Sequence, residues 1–207
     1  MRAEPDQRRA VITRHPADIV RAVAGTAVLT LCTWAAWDQS VSDLERGLFH
    51  AVNDLPSWLY RPLWLVMQLG ALAAVPVVAA VALWRRRVRL AAELVAAGAS
   101  AYFAAIGLKN LVGRGRPGDV LSDVVFHGPA VHGLGFPSGH AAVSCALAAT
   151  ASPFLRGGWR RAVWLLPLTV GFARVYVGAH LPLDVIGGFA LGYTLAAVTH
   201  LAGGSPA

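Results

Sequence analysis

Residues able to bind and transfer an anionic group occur in three short stretches of this 207-residue sequence. The candidates are three cations, two histidines, one serine, one glycine and one aspartate. Of the 18 basic residues in the chain only one is a lysine, and it opens the first stretch. The candidate residues are Lys109 and Arg116 in the first stretch, Ser138, Gly139 and His140 in the second, and Arg174, His180 and Asp184 in the third.

Three fixed cations and the start of a helix suit a phosphate dianion. Arginine offers planar, two-pronged hydrogen bonds to phosphate oxygens, and lysine adds a compact positive charge. Ser138 and Gly139 precede a long apolar run, so we expect them at a helix N-terminus, where free N–H groups and the helix dipole favour an anion. The residue types therefore predict a phosphate-binding site.

The spacing in the third stretch predicts a histidine nucleophile. Asp184 follows His180 by four residues, and Pro182 between them suits the first position of a helix. The carboxylate can then hold one ring nitrogen of His180 and leave the other free to attack. His140 remains as an acid for the leaving oxygen. Because the cations supply the positive field and the set has one carboxylate, we expect no metal and no other cofactor.

The composition around these stretches is that of a membrane protein. The chain is 56% hydrophobic and 14% charged, whereas a soluble domain has about a quarter of its residues charged. The net charge of +7 comes from short clusters between apolar runs, which is typical of membrane loops and not of a nucleic-acid-binding face. Six apolar segments come close to the roughly 17–25 residues of a spanning helix. They run over Ile19–Trp37, Pro62–Trp84, Leu90–Leu108, Ser138–Leu155, Ala162–Val177 and Leu181–Leu201.

The sequence thus predicts an all-α, polytopic bundle of six transmembrane helices, and its cations predict the orientation. Twelve Arg residues fall on the side of the two termini, and the remaining six Arg and Lys residues fall on the other side. The positive-inside rule puts both termini in the cytoplasm and the three stretches on the extracytoplasmic face of the cell membrane. We divide the chain into a cytoplasmic segment 1–18, a single membrane domain 19–201 and a cytoplasmic tail 202–207.

The outer connections contain two further features. Four apolar residues recur at helical spacing in the segment 38–60 and predict a short helix in the membrane interface. They are Leu44, Leu48, Val52 and Leu55. His127 and His132 lie in the long loop between the first two stretches and could contact a headgroup, although exposed loop histidines are more often solvated.

Other features of the spans are interpreted as structural. Glu93 follows Arg89 by four residues, which predicts an ion pair at the membrane edge. Gly188 and Gly192 have the small-xxx-small spacing that allows two helices to approach closely. The two cysteines fall in apolar runs and are predicted to be buried without a disulfide.

The three stretches resemble the three-part signature of the type 2 phosphatidic acid phosphatase family. That family shares its site architecture with the vanadium-dependent haloperoxidases. Order and spacing all match, and the resemblance spans residues 109–184. The matching motifs read Lys109, six residues, Arg116-Pro117; then Pro137-Ser138-Gly139-His140; then Arg174, five residues, His180, three residues, Asp184.

The resemblance implies a six-helix membrane phosphatase that acts through a phosphohistidine. His180 would attack phosphorus, Asp184 would orient it, and His140 would protonate the departing group. One position departs from the signature, because the third motif usually opens with Ser and here has Ala173. The implied phosphate-binding residues are Lys109, Arg116, Ser138, Gly139 and Arg174.

The leading hypothesis for function is hydrolysis of a phosphate or diphosphate ester of a lipid at the outer leaflet. Prenyl diphosphates, prenyl-linked phosphosugars, phosphatidic acid and phosphatidylglycerol phosphate all fit, with a preference for a polyprenyl carrier on family resemblance alone. The expected partners are this substrate and membrane lipids, and no nucleic acid. Two alternatives remain open: a vanadate-dependent haloperoxidase-like enzyme, and a catalytically inactive phospholipid-binding membrane protein.

Overall fold

The computed structural model describes residues 12–206, and the regular secondary structure of this part of the chain is almost entirely helical. Two strands of two residues, β1 (Ile12–Thr13) and β2 (Ser205–Pro206), pair antiparallel and bring the two ends of this part together. The ten α-helices of the described residues are α1 (Pro16–Trp37), α2 (Asp43–Asn53), α3 (Tyr60–Met67), α4 (Ala74–Trp84), α5 (Val88–Val112), α6 (Pro117–Val120), α7 (Gly139–Ala151), α8 (Trp159–Ala162), α9 (Leu165–Tyr176) and α10 (Pro182–Gly203). The prediction of an all-α chain is confirmed at this level.

Fewer helices are long enough to span a membrane than the sequence predicts. Within residues 12–206, three helices, α1, α5 and α10, are long and apolar enough to cross a membrane. A fourth crossing is available if the bent pair Ser57–Gly70 and Ala74–Trp84, which meet at 70°, acts as one broken span. α7 and α9 have 13 and 12 residues, below the roughly 17–25 that a span needs. The count of six spans is therefore not confirmed.

Two residues account for breaks in the apolar runs. Pro153 lies in the 3-10 turn that follows α7, and its ring and missing N–H prevent the helix from continuing. Gly70 ends the turn between α3 and α4, where a Cβ would lie 2.5 Å from the carbonyl oxygen of His140. The chain therefore bends at Gly70 and passes close to the start of α7.

α7 lies at the centre of the bundle, between α5, α9 and α10. All ten of its residues from 141 to 150 are buried. A Cβ on Gly192 would overlap the carbonyl oxygen of Ala142, and one on Gly188 would lie 2.5 Å from that of Ser138. The prediction that these glycines allow close helix packing is confirmed, and the contact fixes the start of α7 against α10.

α2 forms where the leucine spacing predicts a short helix. Leu44 and Leu48 are 74% and 52% exposed, as suits an interfacial helix, whereas Glu45, Phe49 and Asn53 face the protein interior. Its location in the membrane interface stays a prediction. Leu44 and Leu48 therefore turn outward, Val52 and Leu55 pack against the core, and the carboxylate of Glu45 turns inward.

Three smaller predictions can also be compared with the structure. Arg89 and Glu93 form the predicted pair, with Nε and Oε1 2.8 Å apart. Both cysteines are buried and free. His127, considered as an exposed loop residue, is instead buried: its ring stacks on Tyr176 with centroids 4.1 Å apart, so it does not face solvent. His132 is exposed and its Nδ1 lies 2.8 Å from a carboxylate oxygen of Asp119.

Candidate active site

The first motif ends one helix and starts another. Lys109 lies in the last turn of α5, and its Nζ donates to the carbonyl oxygens of Leu134 and Gly135 at 3.0 and 2.6 Å. Gly113 ends α5 in the left-handed conformation with φ of 71°. Arg116 precedes α6 as its N-cap, and its Nη1 donates to the carbonyl oxygen of Ala179 at 3.0 Å. These contacts tie both cations to the loops that carry the other two motifs.

The second motif forms the N-terminus of α7, as predicted. Ser138 is the N-cap residue, and its Oγ accepts the N–H of Ala141 at 3.5 Å. The backbone N–H of Ser138 donates to the carbonyl oxygen of Asp184 at 2.8 Å. A Cβ added to Gly139 would meet only Ala105, at 4.0 Å. The helix N-terminus is therefore open at Gly139, where an anion is favoured by the free N–H groups.

The third motif places His180 against Asp184. After α9 the chain turns at Gly178, with φ of 75°, and α10 begins at Pro182. His180 is 2% exposed, and its Nδ1 lies 3.4 Å from Oδ2 of Asp184. Because a carboxylate only accepts hydrogen bonds, this contact assigns the proton to Nδ1 and leaves a lone pair on Nε2. That nitrogen lies 3.5 Å from Nη1 of Arg116.

A cavity of about 370 Å³ brings the three motifs together. Its lining combines the ionisable groups with apolar side chains, including Leu72, Tyr102 and Ile106. Ser138 and Asp184 are buried beside the cavity. Six of the eight predicted site residues line it: Lys109, Arg116, Gly139, His140, Arg174 and His180.

The cations at the cavity have unused hydrogen-bonding capacity. Arg174 is 7% exposed, and its Nη1 contacts the sulfur of Met67 at 3.6 Å. The Nε groups of Arg116 and Arg174 are buried and have no hydrogen-bond partner among residues 12–206. Burial lowers the pKa of the Arg116 guanidinium. A phosphate in the cavity would supply acceptors and negative charge to these two side chains.

The histidine environment favours a neutral imidazole. Burial, followed by the positive charges of Arg174, Lys109 and Arg116, holds the pKa of His180 well below its ordinary value of 6.5. A neutral ring with a free lone pair on Nε2 is the form that can act as a nucleophile. The same cations that disfavour a protonated ring favour a phosphate dianion beside it.

Ala173, where the signature usually has Ser, lies away from the cavity wall. Its side chain is fully buried in an apolar cluster with Met67, Tyr176 and Ala179. The departure from the motif therefore falls in packing between α3 and α9 in this chain.

The structure adds two residues that the sequence did not single out, Arg114 and Glu45. Arg114 is completely buried, and its Nη1 lies 3.2 Å from Oδ1 of Asp184. Glu45, from α2, holds the same guanidinium with contacts of 3.1 and 2.7 Å. The signal for Arg114 was its place two residues before Arg116, but nothing in the spacing of α2 pointed to Glu45.

Comparisons with known proteins show which family the chain belongs to. The chain matches the PAP2 superfamily over residues 89–204. It is 35% identical over 165 residues to decaprenylphosphoryl-5-phosphoribose phosphatase from Mycobacterium tuberculosis. The aligned region covers 77% of this chain and 78% of that protein.

Two solved structures share the fold. LpxE from Aquifex aeolicus superimposes with a TM-score of 0.69 and 24% identity, covering 76% of this chain and 95% of that one. A transmembrane PAP2-type phosphatidylglycerolphosphate phosphatase from Bacillus subtilis superimposes with a TM-score of 0.62 and 21% identity. The match covers 86% of this chain and 94% of that one. With the family match over more than half of the sequence and a curated relative above 30% identity, this chain belongs to the PAP2 superfamily.

Proposed function

We propose that this protein is a membrane phosphatase that hydrolyses a lipid phosphate ester through a phosphohistidine on His180. The observation that carries the proposal is the orientation of His180: its Nδ1 faces Asp184 and its Nε2 faces a cavity lined by cations. Lys109, Arg116 and Arg174 would bind the phosphate oxygens together with the open N-terminus of α7 at Gly139.

In the first step the Nε2 lone pair of His180 attacks phosphorus, and the bond from phosphorus to the ester oxygen breaks. His140, which lines the same cavity, gives its proton to that oxygen, and the lipid alcohol leaves. Asp184 accepts the Nδ1–H throughout and stabilises the positive charge that develops on the ring. In the second step water attacks the phosphohistidine, His140 takes the water proton, and inorganic phosphate and free His180 are regenerated.

We propose that this reaction needs no metal ion. The three cations and the helix N-terminus would neutralise the charge that develops on the equatorial oxygens. Within residues 12–206 no group of three or more His, Cys, Asp or Glu side chains is arranged to hold a metal. Activity should survive exhaustive EDTA treatment and should be inhibited by vanadate, a mimic of five-coordinate phosphorus. Loss on EDTA treatment with recovery on adding magnesium would contradict this.

The proposed substrate class is a polyprenyl carrier bearing a phosphate monoester or diphosphate, such as a prenyl-linked phosphosugar. The apolar residues that line the cavity, including Leu72, Tyr102 and Ile106, suit a hydrocarbon chain beside the phosphate. The 35% identical relative is named as a decaprenylphosphoryl-5-phosphoribose phosphatase, which favours this class over glycerophospholipids.

We further propose that the bundle crosses the cell membrane six times with both termini in the cytoplasm. Four crossings have helices or a bent pair of sufficient length. α7 and α9, although short, pack against each other, and the adjoining turn Ser152–Phe154 and helix α8 lengthen them. The Arg distribution would place the cavity at the outer face.

Phosphate release from a lipid panel tests the proposed function. Purified protein in detergent is given a polyprenyl phosphosugar phosphate, a polyprenyl diphosphate, phosphatidic acid and phosphatidylglycerol phosphate, each with the His180→Ala variant as control. We expect fastest release from a polyprenyl substrate and none from the variant. Absence of release from every lipid would refute the phosphatase proposal, and halide oxidation with added vanadate would support the haloperoxidase alternative.

A further inference from the structure

Glu45 and Arg114 form a buried bridge between α2 and the first turn of α10. Arg114 is fully buried and Glu45 is 8% exposed. Both guanidinium Nη atoms donate to Glu45, at 3.1 and 2.7 Å, and Nη2 also donates to the carbonyl oxygen of Ser40 at 2.8 Å. Nη1 completes the bridge by donating to Oδ1 of Asp184 at 3.2 Å.

Glu45 does not take the role that its helix position usually brings. It is the third residue of α2, where a glutamate commonly reaches back to the N-cap backbone. Ser42 caps the helix by accepting the N–H of Glu45 at 3.2 Å. The carboxylate of Glu45 instead accepts from Arg114 and from the backbone N–H of Leu183, at 3.0 Å. It therefore contacts both the guanidinium and the turn that carries Asp184.

The two oxygens of Asp184 are thereby divided between separate partners. Oδ1 accepts from Arg114, while Oδ2 accepts the N–H of Leu181 at 3.0 Å and lies 3.4 Å from Nδ1 of His180. This division fixes the plane of the carboxylate so that one oxygen always faces the histidine. Glu45 shares the positive charge of Arg114, so that Asp184 keeps negative charge available to the ring.

We infer that Glu45 and Arg114 are positioning residues that act on His180 through Asp184. This inference rests on the proposed phosphohistidine chemistry. Neither residue lines the cavity, so neither is expected to touch the substrate. Their loss should lower kcat by slowing attack on phosphorus, while KM, which reflects the cations at the cavity, should stay near the wild-type value.

Glu45→Gln is the informative variant because it keeps the size of the side chain and removes its charge. The single amide oxygen of Gln can still accept the backbone N–H of Leu183, but its NH2 group then faces an N–H donor of the Arg114 guanidinium. We expect kcat to fall about 10- to 100-fold, the range found when an outer hydrogen-bond partner of a functional histidine in metal sites is removed. The control is Glu93→Gln, which breaks another Arg–Glu pair, in the first turns of α5, and should leave kcat unchanged. Glu93 is 6% exposed, like Glu45, although the side chain of its partner Arg89 is 36% exposed.

A double-mutant cycle separates positioning from a general structural role. If Glu45 acts only through Asp184, Glu45→Gln should cause no further loss of kcat in an Asp184→Asn background. A thermal melting curve of Glu45→Gln in the same detergent measures how much of the protein is folded, so that partial unfolding is not mistaken for slow turnover. An equal loss in both backgrounds, a change in KM alone, or wild-type kcat in the single variant would overturn the inference.

The tautomer of His180 provides a readout that needs no substrate. Nitrogen-15 NMR of histidine-labelled protein should place the proton on Nδ1 in the wild type, and exchange between the two tautomers should increase in Glu45→Gln. Unchanged signals would also overturn the inference, even if the protein hydrolyses none of the lipids. Conversely, inactivity of the wild-type protein with the predicted NMR change would refute the proposed function and leave the positioning role standing. Arg114→Lys serves as a second variant if Glu45→Gln gives too little folded protein.

Discussion

Replacing Asp184 by Asn should lower kcat about 10⁴-fold without unfolding the protein. The carboxylate accepts from Arg114 on Oδ1 and from Leu181 and His180 on Oδ2, whereas an amide presents one acceptor and one donor group. A hydrogen bond to a charged donor contributes about 1.5–3 kcal/mol and a neutral one about 0.5–1.5 kcal/mol. The amide oxygen should therefore turn towards Arg114, and the NH2 group should face His180.

That orientation forces His180 into the wrong tautomer. Its Nδ1 must then accept from the amide, the proton moves to Nε2, and the lone pair that faces the cavity is lost. The corresponding Asp-to-Asn change in a serine protease lowers kcat by about 10⁴, which corresponds to about 5 kcal/mol of transition-state stabilisation. We expect a loss of the same order. The fold should persist because Arg114 keeps both contacts to Glu45.

The assay is kcat for phosphate release at saturating lipid, together with a thermal melting curve in the same detergent. Asp54→Asn is a matched control, since His50 and Asp54 form another pair with i, i+4 spacing, 3.3 Å apart, away from the cavity. It should leave kcat unchanged. A kcat for Asp184→Asn within about tenfold of the wild type, about 1.4 kcal/mol, would refute the assignment of Asp184 as the residue that sets the tautomer.

Three further predictions concern the acid, the titration of the nucleophile and the topology. The His140→Ala variant should lose about 10²- to 10⁴-fold in activity on lipid phosphates, because their alkoxides need a proton to leave. It should keep measurable activity on p-nitrophenyl phosphate, and equal losses on both substrates would contradict the acid role. Because its pKa is lowered, His180 should stay neutral at pH 6, where a free imidazole is mostly protonated, and an NMR titration with a midpoint near 6.5 would contradict the structure. A cysteine at the exposed Ser122 should react with an impermeant thiol reagent in intact cells, whereas one at the exposed Gly158 should not, and the reverse pattern would invert the orientation.

The cavity residues could be predicted from the sequence because their positions follow from local rules. A serine and glycine before an apolar run begin a helix, and a histidine, proline and aspartate at fixed spacing turn a carboxylate back onto the ring. The structure places Gly139 at the start of α7 and brings Asp184 to His180. Such relations depend on a few neighbouring residues. The three motifs meet because α5, α7 and α10 pack together.

The inward role of Glu45 could not be predicted, because the leucine spacing predicts a helix in the membrane interface but does not identify what its polar side contacts. At a membrane interface the leucines can face lipid, and in α2 Leu44 and Leu48 are exposed while Glu45 is buried. The partner of Glu45 lies 69 residues further along the chain, so no local pattern links them. The burial of His127 depends in the same way on distant Tyr176.

The number of spans could not be settled by hydropathy, because an apolar run does not reveal where the helix inside it breaks. The run after Pro62 is divided at Gly70, where the chain must pass close to His140. The run after Ser138 ends as a helix before Pro153. The break at Gly70 lies beside the cavity at the start of α7, whereas the break at Pro153 lies at the other end of α7 and follows from the proline itself.

The most direct test of the account is the site of covalent phosphorylation. The His140→Ala variant, which lacks the acid–base group for the second step, is mixed with p-nitrophenyl phosphate labelled at phosphorus and quenched in base, which preserves phosphohistidine. We predict a burst of p-nitrophenol equal to the label recovered, with all of the label on His180 in the peptide that follows Arg174. Release of p-nitrophenol with the label on another residue, or with no label on the protein, would contradict the central claim that His180 attacks phosphorus.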